Sequence, residues 1–210
     1  MTGQLGAAEL AYLGLAFAPQ LPLLLLGMGF VMGGAVLIAQ AVGAGEQAKS
    51  GHIMRVAVRH AWIAGALMVL VCLTGSWMFY ATGQTSENVA GASRVMSAMG
   101  WGLPAALLFA AGASFLEAHG KPLPGMMAMI AANLLNIFLN WVLIFGHLGA
   151  EQLGATGSAY ATSVARWFAV VLVFGYIWRR VDHAKCGLTG ALPEARDIGR
   201  RLRSVGWPLS

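Results

Sequence analysis

Three asparagines lie within one strongly apolar stretch of the sequence, and they are the residues most able to carry chemistry. Because an α-helix repeats every 3.6 residues, the spacing of Asn133, Asn136 and Asn140 places all three along one helix face. Their carboxamides offer oxygens that accept hydrogen bonds or bind a cation, and amide groups that donate. The face therefore fits a transport site. It also fits plain hydrogen bonding between helices. Such bonds contribute about 0.6 kcal/mol each, which is enough to explain asparagines in an apolar helix without a transport site.

Four further polar residues interrupt or border apolar stretches. Thr162 either bonds to its own helix backbone or joins the asparagine face. Arg166, four residues later, reaches towards lipid headgroups or faces a cavity. Gln40 is interpreted as a helix-end residue with a further cavity role kept open. Glu117 opens a Gly- and Pro-containing corner and is interpreted as a capping group or a gate.

The composition excludes most soluble classes of protein. Hydrophobic residues make up 58% of the 210 residues and charged residues only 10%, and the mean hydropathy is +0.70. A soluble enzyme, a disordered chain and a nucleic-acid-binding domain are poorly compatible with these values, despite a net charge of +5. The five histidines and two cysteines show no metal-binding or catalytic spacing. The sequence predicts a non-enzyme without a cofactor.

Five stretches are long and apolar enough to cross a bilayer as helices, since about 20 helical residues span the hydrocarbon core. They lie at about 10–43, 61–81, 95–116, 123–145 and 154–178. Pro19 and Pro22 are expected to kink the first stretch or to mark its outer end. Gly29 and Gly33 are expected to form a close-packing face. The predicted fold class is an all-α integral membrane protein, a bundle of five transmembrane helices.

The basic residues predict the orientation of this bundle. If the connections after spans one, three and five share a side, that side carries 11 of the 13 lysines and arginines, at positions 49, 55, 59, 121, 179, 180, 185, 196, 200, 201 and 203. The positive-inside rule then puts the C-terminus of the chain in the cytoplasm and its N-terminus outside. Residues 181–210 are predicted to form a basic amphipathic linker, helical at 192–205, followed by the start of another span.

Several motifs in this order resemble one family of transporters. Gly3 to Ala11 and Ile38 to Gly45 resemble the second helix of the multidrug and toxic compound extrusion (MATE) family. Three later segments also resemble it: the corner 115–122, the run 136–146 as its fifth helix and the run 153–162 as its sixth. Together they extend over nearly the whole chain.

The resemblance implies a fold and a site. The family has twelve helices in two six-helix lobes, so residues 1–180 would be helices two to six of the first lobe, without the first helix and the second lobe. The 181–210 segment would then include the start of the seventh helix. Asn136 and Asn140 match the family's helix-five pair, where some members have Asp at the second position, and Thr162 matches the helix-six threonine. The three would bind the coupling ion, Na⁺ or H⁺.

The predicted function is thus a cation-coupled antiporter of the inner membrane that exports drugs or toxic organic compounds, expected to be cationic. Its partners would be the lipid bilayer, these small substrates and the missing second lobe, and no nucleic acid. Asn133, Gln40, Arg166 and Glu117 are candidates for additional cavity or gating roles. The alternatives are a lipid-linked oligosaccharide flippase of the same superfamily and a non-transporting remnant. A membrane-embedded enzyme is disfavoured, because no Asp or Glu lies mid-span.

Overall fold

The structure is a computed structural model that describes residues 6–149 and 151–188. Its helices, in chain order, are α1 (Ala7–Gly43), α2 (Gln47–Thr74), α3 (Ser76–Ala81), α4 (Ser86–Gly100), α5 (Leu103–Ala118), α6 (Leu123–Phe145) and α7 (Gly154–Arg180), with a 3-10 turn at His147–Gly149. Within the described part of the chain every regular element is helical. The predicted helix at 192–205 and the start of another span lie outside the described residues.

Five helical segments of the described chain are long and apolar enough to cross a membrane. They are α1, α2, the pair α4 and α5 taken together, α6 and α7. This finding confirms the predicted fold class of an all-α bundle that spans the membrane five times.

Two of these segments begin earlier than the sequence predicts. The predicted spans 61–81 and 95–116 correspond to helices that start at Gln47 and Ser86. The Thr85 side chain caps the first turn of α4. Lysine, arginine and glutamine are good helix formers, so a helix continues past its apolar stretch until a cap or a glycine ends it. Hydropathy therefore locates the part of a helix that crosses lipid and not the end of the helix.

The first helix is continuous through both of its prolines. Pro19 and Pro22 lie inside α1, so they do not mark its outer end. Between them Gln20 is almost completely buried, and its Nε2 donates a hydrogen bond to the backbone oxygen of Met96, 2.9 Å away. This contact fixes the N-terminal half of α1 against α4.

Helix α5 forms the centre of the bundle, with α1, α2 and α7 packed around it. Leu107, Phe115 and Leu116 are completely buried there. A small residue allows α2 to approach closely, because a Cβ at Gly65 would lie only 2.6 Å from the Cα of Pro104. Close contact between backbones of this kind is how membrane helices gain packing energy without a hydrophobic driving force.

The glycines predicted to pack closely in α1 are not the ones that do so. A Cβ at Gly29 or Gly33 would meet no atom within 4 Å in the described chain, so that prediction was wrong there. Gly27 instead faces side chains of α2 and α5, and a Cβ at Gly34 would lie 3.1 Å from the Cβ of Ala57. Sequence spacing identifies helix faces, but which face meets a neighbour depends on the tertiary arrangement.

The connection between α6 and α7 brings these two helices side by side. Gly146 ends α6 in the left-handed conformation, with φ at 73°, which glycine adopts without steric cost. The N–H of Leu153 then donates to the oxygen of Leu143 at 3.0 Å. A Cβ at Gly157 would lie 2.6 Å from that same oxygen. The first turns of α7 therefore lie directly against the last turns of α6.

Candidate functional site

Polar side chains of α6 and α7 meet inside the bundle. Asn136 Nδ2 lies 3.5 Å from Thr162 Oγ1, a long hydrogen bond. Asn140 Nδ2 donates to both Oδ1 and the backbone oxygen of Asn136, at 2.9 and 2.8 Å. The Thr162 hydroxyl donates to the backbone oxygen of Ser158 at 2.9 Å. The structure thus brings Asn136, Asn140 and Thr162 into one hydrogen-bonded group.

Small residues on both helices make this meeting possible. Ala132 of α6 packs with Ala165 and Ala169 of α7 in a compact cluster beside the polar group. With Gly157 at the other side, the two helices approach closely enough for short side chains to touch. The polar group is therefore held between two close contacts, one on each side along the helix pair.

One oxygen of this group is left without a partner. Asn140 Oδ1 is buried and accepts no hydrogen bond from any described residue. A buried carbonyl oxygen without a donor costs about 1–3 kcal/mol, so such a position is usually explained by a ligand, a water or an ion. Carbonyl and hydroxyl oxygens are the ligands that hard cations prefer. The unpaired Oδ1 makes this group suitable for a small cation.

A cavity of about 340 Å³ adjoins the polar group, between α1, α5, α6 and α7. Its lining includes four of the sequence-predicted residues, Asn133, Asn136, Thr162 and Arg166. Asn140 connects to it through Asn136. The remaining walls are apolar or small, among them Leu24, Met28, Phe109 and Met129. Cavities of this size accept drug-sized molecules.

Arg166 contributes the positive charge of the cavity lining. It follows Thr162 by one helical turn on α7 and is partly buried. Its side chain passes Gly102 at the junction of α4 and α5, where an added Cβ would lie 3.2 Å from the Arg166 Cδ. Of its two predicted positions, the structure thus places the side chain at the cavity.

Gln40 and Glu117 are not brought to this cavity. Both are exposed, Gln40 near the end of α1 and Glu117 near the end of α5. Neither lines the 340 Å³ space described above. The proposed cavity role of these two residues is therefore not supported by their position, because each lies at a helix end instead of on an inward face.

Three polar contacts of the bundle interior were missed from the sequence. Besides Gln20, the Ser163 hydroxyl donates to the oxygen of Ala98 at 2.7 Å. A carboxylate oxygen of Glu9 accepts from the backbone N–H of Ala155 at 2.6 Å, at the first turn of α7. Gln20 could have been noticed as a large amide in a charge-free stretch. Glu9 and Ser163 gave no signal, because their partners are backbone atoms far away in the sequence.

A second polar cluster lies at the opposite end of α7. His119 Nε2 is 3.2 Å from Ser50 Oγ and 3.7 Å from Cys186 Sγ. Burial, with a smaller contribution from the nearby Asp182, raises the pKa of the Cys186 thiol above its ordinary value. The cluster joins the start of α2, the end of α5 and the segment that follows α7. Neither here nor elsewhere among residues 6–149 and 151–188 do three His, Cys, Asp or Glu side chains group as metal ligands would.

Two bacterial multidrug resistance proteins are similar to this chain along its whole length. The multidrug resistance protein NorM of Vibrio cholerae is 28% identical over 212 residues, which cover 100% of this chain and 46% of that protein. The probable multidrug resistance protein NorM of Caulobacter vibrioides is 27% identical, with 99% and 44% covered. This chain spans slightly less than half the length of these relatives.

A solved structure shows the same fold. A MATE protein in complex with MaD3S superimposes with a TM-score of 0.82 at 22% identity, over 96% of this chain and 45% of the other. The MatE family model matches residues 1–142. Because that match extends over well more than half of the sequence, the chain belongs to the MatE family of multidrug efflux transporters.

Proposed function

We propose that this chain forms a lobe of a cation-coupled antiporter that exports small organic compounds from the cell. The observation that carries the proposal is the buried, unpaired Oδ1 of Asn140, whose amide nitrogen bonds to Asn136, and Asn136 in turn lines a drug-sized cavity together with Thr162. An oxygen-rich group next to a cavity gives an ion and a substrate neighbouring places in the same lobe.

Na⁺ fits this group better than a proton does. Amide and hydroxyl oxygens do not take up protons near neutral pH, whereas they coordinate Na⁺ directly. In the described part of the chain no carboxylate or histidine lines the cavity. Proton coupling would therefore need a titratable group from outside these residues.

Ion and substrate would each stabilise a different access state. A ligand shifts a conformational equilibrium only by its difference in affinity for the two states. Na⁺ bound to Asn136, Asn140 and Thr162 would tie α6 to α7, and a compound in the cavity would separate α6 from α1. Opposite preferences of this kind produce exchange across the membrane.

The orientation proposed from the basic residues is supported by the second polar cluster. The contacts of His119 with Ser50 and Cys186 bring three chain segments to one end of the bundle. Those segments carry the lysines and arginines of residues 49–59, 121 and 179–185. By the positive-inside rule this end is cytoplasmic, so export would run from this end towards the start of α7.

The test is the Na⁺ dependence of efflux by the complete transporter in proteoliposomes. Asn140→Leu removes the unpaired oxygen and should raise the Na⁺ concentration for half-maximal efflux about tenfold, the equivalent of one weak ligand of about 1.4 kcal/mol. Asn140→Asp should lower it, because a carboxylate attracts the ion more strongly. Asn88→Leu, at the first turn of α4, is the matched control. Equal Na⁺ dependence in all four proteins would contradict the ion site.

The flippase alternative is favoured by one observation, the positive charge of Arg166 in the cavity lining. A lipid-linked substrate presents phosphates to such a charge. The cavity of about 340 Å³ is at the small end of the drug-sized range and does not suit a headgroup of several sugars. Translocation of a fluorescent phospholipid by the reconstituted protein, without export of any soluble dye, would establish the flippase instead.

A further inference from the structure

The cavity beside the asparagines has an unusual charge for a compartment that is expected to take cations. Arg166 is the ionisable side chain in its lining, and no described residue of the lining is acidic. The other polar groups there are the carboxamides of Asn133 and Asn136 and the hydroxyl of Thr162. Within the described residues the cavity therefore carries a net positive charge.

This charge persists under all physiological conditions. A guanidinium keeps its proton across the physiological pH range and presents several N–H donors in a plane. Arg166 forms no ion pair with a described residue, in contrast to Lys49, which pairs with Glu46 at 2.7 Å. A charge in an apolar surrounding is costly unless a counter-charge compensates it. A ligand that supplies the counter-charge gains that compensation on binding.

The aliphatic part of the Arg166 side chain packs beside Gly102. Gly102 leaves room for the aliphatic part of the side chain, because its missing Cβ would lie 3.2 Å from the Arg166 Cδ. One turn earlier, Thr162 points into the same cavity. The aliphatic part of Arg166 therefore lies against α5, on the same side of α7 as the cavity lined by Thr162.

We propose that Arg166 makes the cavity selective for organic compounds that carry a carboxylate, sulfonate or phosphate. The anionic group binds the guanidinium and accepts from the amide of Asn133 or Asn136, while Leu24, Met28 and Phe109 contact the apolar body. Charge-assisted hydrogen bonds of this kind are about twice as strong as neutral ones. The inference rests on the proposed export function and names its substrate class, which differs from the cationic class expected from the family resemblance.

Competition with the coupling ion follows from space. A compound that fills about 340 Å³ occupies the volume in front of Thr162 and Asn136. An ion entering from the cavity must pass through that volume, so ion and compound exclude each other sterically even though their charges attract. Export of an anionic compound is therefore compatible with antiport.

The experiment compares two dyes that differ by one charge, a rhodamine with a free carboxylate and its methyl ester. Both are tested in proteoliposomes with the complete transporter, as wild type and as Arg166→Gln, Arg166→Lys and Arg94→Gln. Arg94 lies on α4 outside the cavity and serves as the matched control. In the wild type the KM for the carboxylate should be lower than for the ester by about tenfold to a hundredfold, the range of one hydrogen bond to a charged group.

The variants separate selectivity from folding. Arg166→Gln should abolish the preference by raising the KM for the carboxylate, Arg166→Lys should keep part of the preference, and Arg94→Gln should keep all of it. An equal loss for both dyes, together with a lower melting temperature, would mean that Arg166 has a structural role and would overturn the inference. The same holds if Arg166→Gln retains the wild-type preference.

A third substrate, a short-chain fluorescent phosphatidic acid, serves two purposes. It separates failure of this inference from failure of the proposed function, and it distinguishes a lipid phosphate from a soluble anion. Failure of the folded wild type to transport either dye or a short-chain fluorescent phosphatidic acid would overturn the proposed function itself. Transport of the phosphatidic acid alone, lost in Arg166→Gln, would overturn export of soluble compounds in favour of the flippase and show that the anion bound by Arg166 is a lipid phosphate. Transport of both dyes with equal KM would leave the export function intact and overturn the anion selectivity.

Discussion

Helices α5 and α6 are neighbours in the sequence and similarly apolar, but the bundle uses them in opposite ways. In α5, Leu107 and Phe115 are fully buried, whereas Leu134 and Ile137 of α6 are 64% and 55% exposed. α5 packs against four other helices, while α6 packs mainly against α7. Within the described chain, the candidate site thus lies on α6, a helix with few neighbours, whereas α5, which precedes it, has many. We therefore expect substitutions in α5 to change mainly stability and substitutions at the candidate site on α6 to change mainly ion dependence.

The largest loss of stability should come from disturbing the packing around α5. Gly65→Ala places a Cβ 2.6 Å from the backbone of Pro104. Backbone atoms cannot move aside as a flexible side chain can, so we expect a loss of about 3 kcal/mol in the free energy of unfolding. Gly29→Ala, which meets no atom within 4 Å, should be neutral. Melting temperature and yield in detergent measure both, and equal values would contradict the close packing.

The next largest effect should come from the polar contact between α1 and α4. Gln20→Leu removes the bond to the Met96 oxygen and should cost about 1–2 kcal/mol, at the upper end for interhelical hydrogen bonds in membranes. The Na⁺ dependence of efflux should be unchanged, because Gln20 does not line the cavity. Thermal unfolding and efflux are measured on the same preparation, and a changed Na⁺ dependence would refute the separation of the two regions.

For α6 we expect the opposite: a substitution at the candidate site should change the Na⁺ dependence of efflux and hardly change stability. Asn140→Leu should change the free energy of unfolding by less than about 1 kcal/mol, because the lost donor is offset by removal of a buried oxygen without a partner. Thermal unfolding in detergent tests this, with the Gln20→Leu protein as reference. A larger destabilisation by Asn140→Leu than by Gln20→Leu would show that the asparagines serve mainly to hold the helices together.

The smallest effect concerns the second polar cluster, that of His119, Ser50 and Cys186, which belongs to neither α5 nor α6 alone. Because burial raises the pKa of Cys186, the reactive thiolate is scarcer in the folded protein than in the unfolded one at the same pH. In a Cys72→Ser background, maleimide should label the folded protein more slowly than the denatured protein at pH 7–8. As the pH is raised, the labelling rate of the folded protein should continue to increase after the rate of the denatured protein has levelled off. Equal rates would show that the thiol is exposed to water.

The sequence predicts the convergence of the site better than the packing that surrounds it. Asn136 and Asn140 share a face by helical periodicity alone, and Thr162 joins them because α6 and α7 are joined by a short connection. The prediction of close packing at Gly29 and Gly33 was wrong: these glycines lie four residues apart on one helix face, but that face meets no neighbour in the described chain. Contacts such as Gln20 with Met96 join residues far apart in sequence, and no local pattern encodes them.

The two prolines of α1 remove two of the hydrogen bonds of this helix at a defined place. Neither ring nitrogen can donate to the carbonyl four residues earlier, so the oxygens of Leu15 and Ala18 lack their usual donors and bending is cheaper there than elsewhere. Gln20 and Glu9 anchor the N-terminal part of α1 to α4 and α7. Any bending at the prolines is thus transferred to the C-terminal part of α1, which carries Leu24 and Met28. A rotation about the prolines would change the width of the cavity that Leu24 and Met28 line, and it would have to repack the contact of Gly27 with Met68 and Leu107.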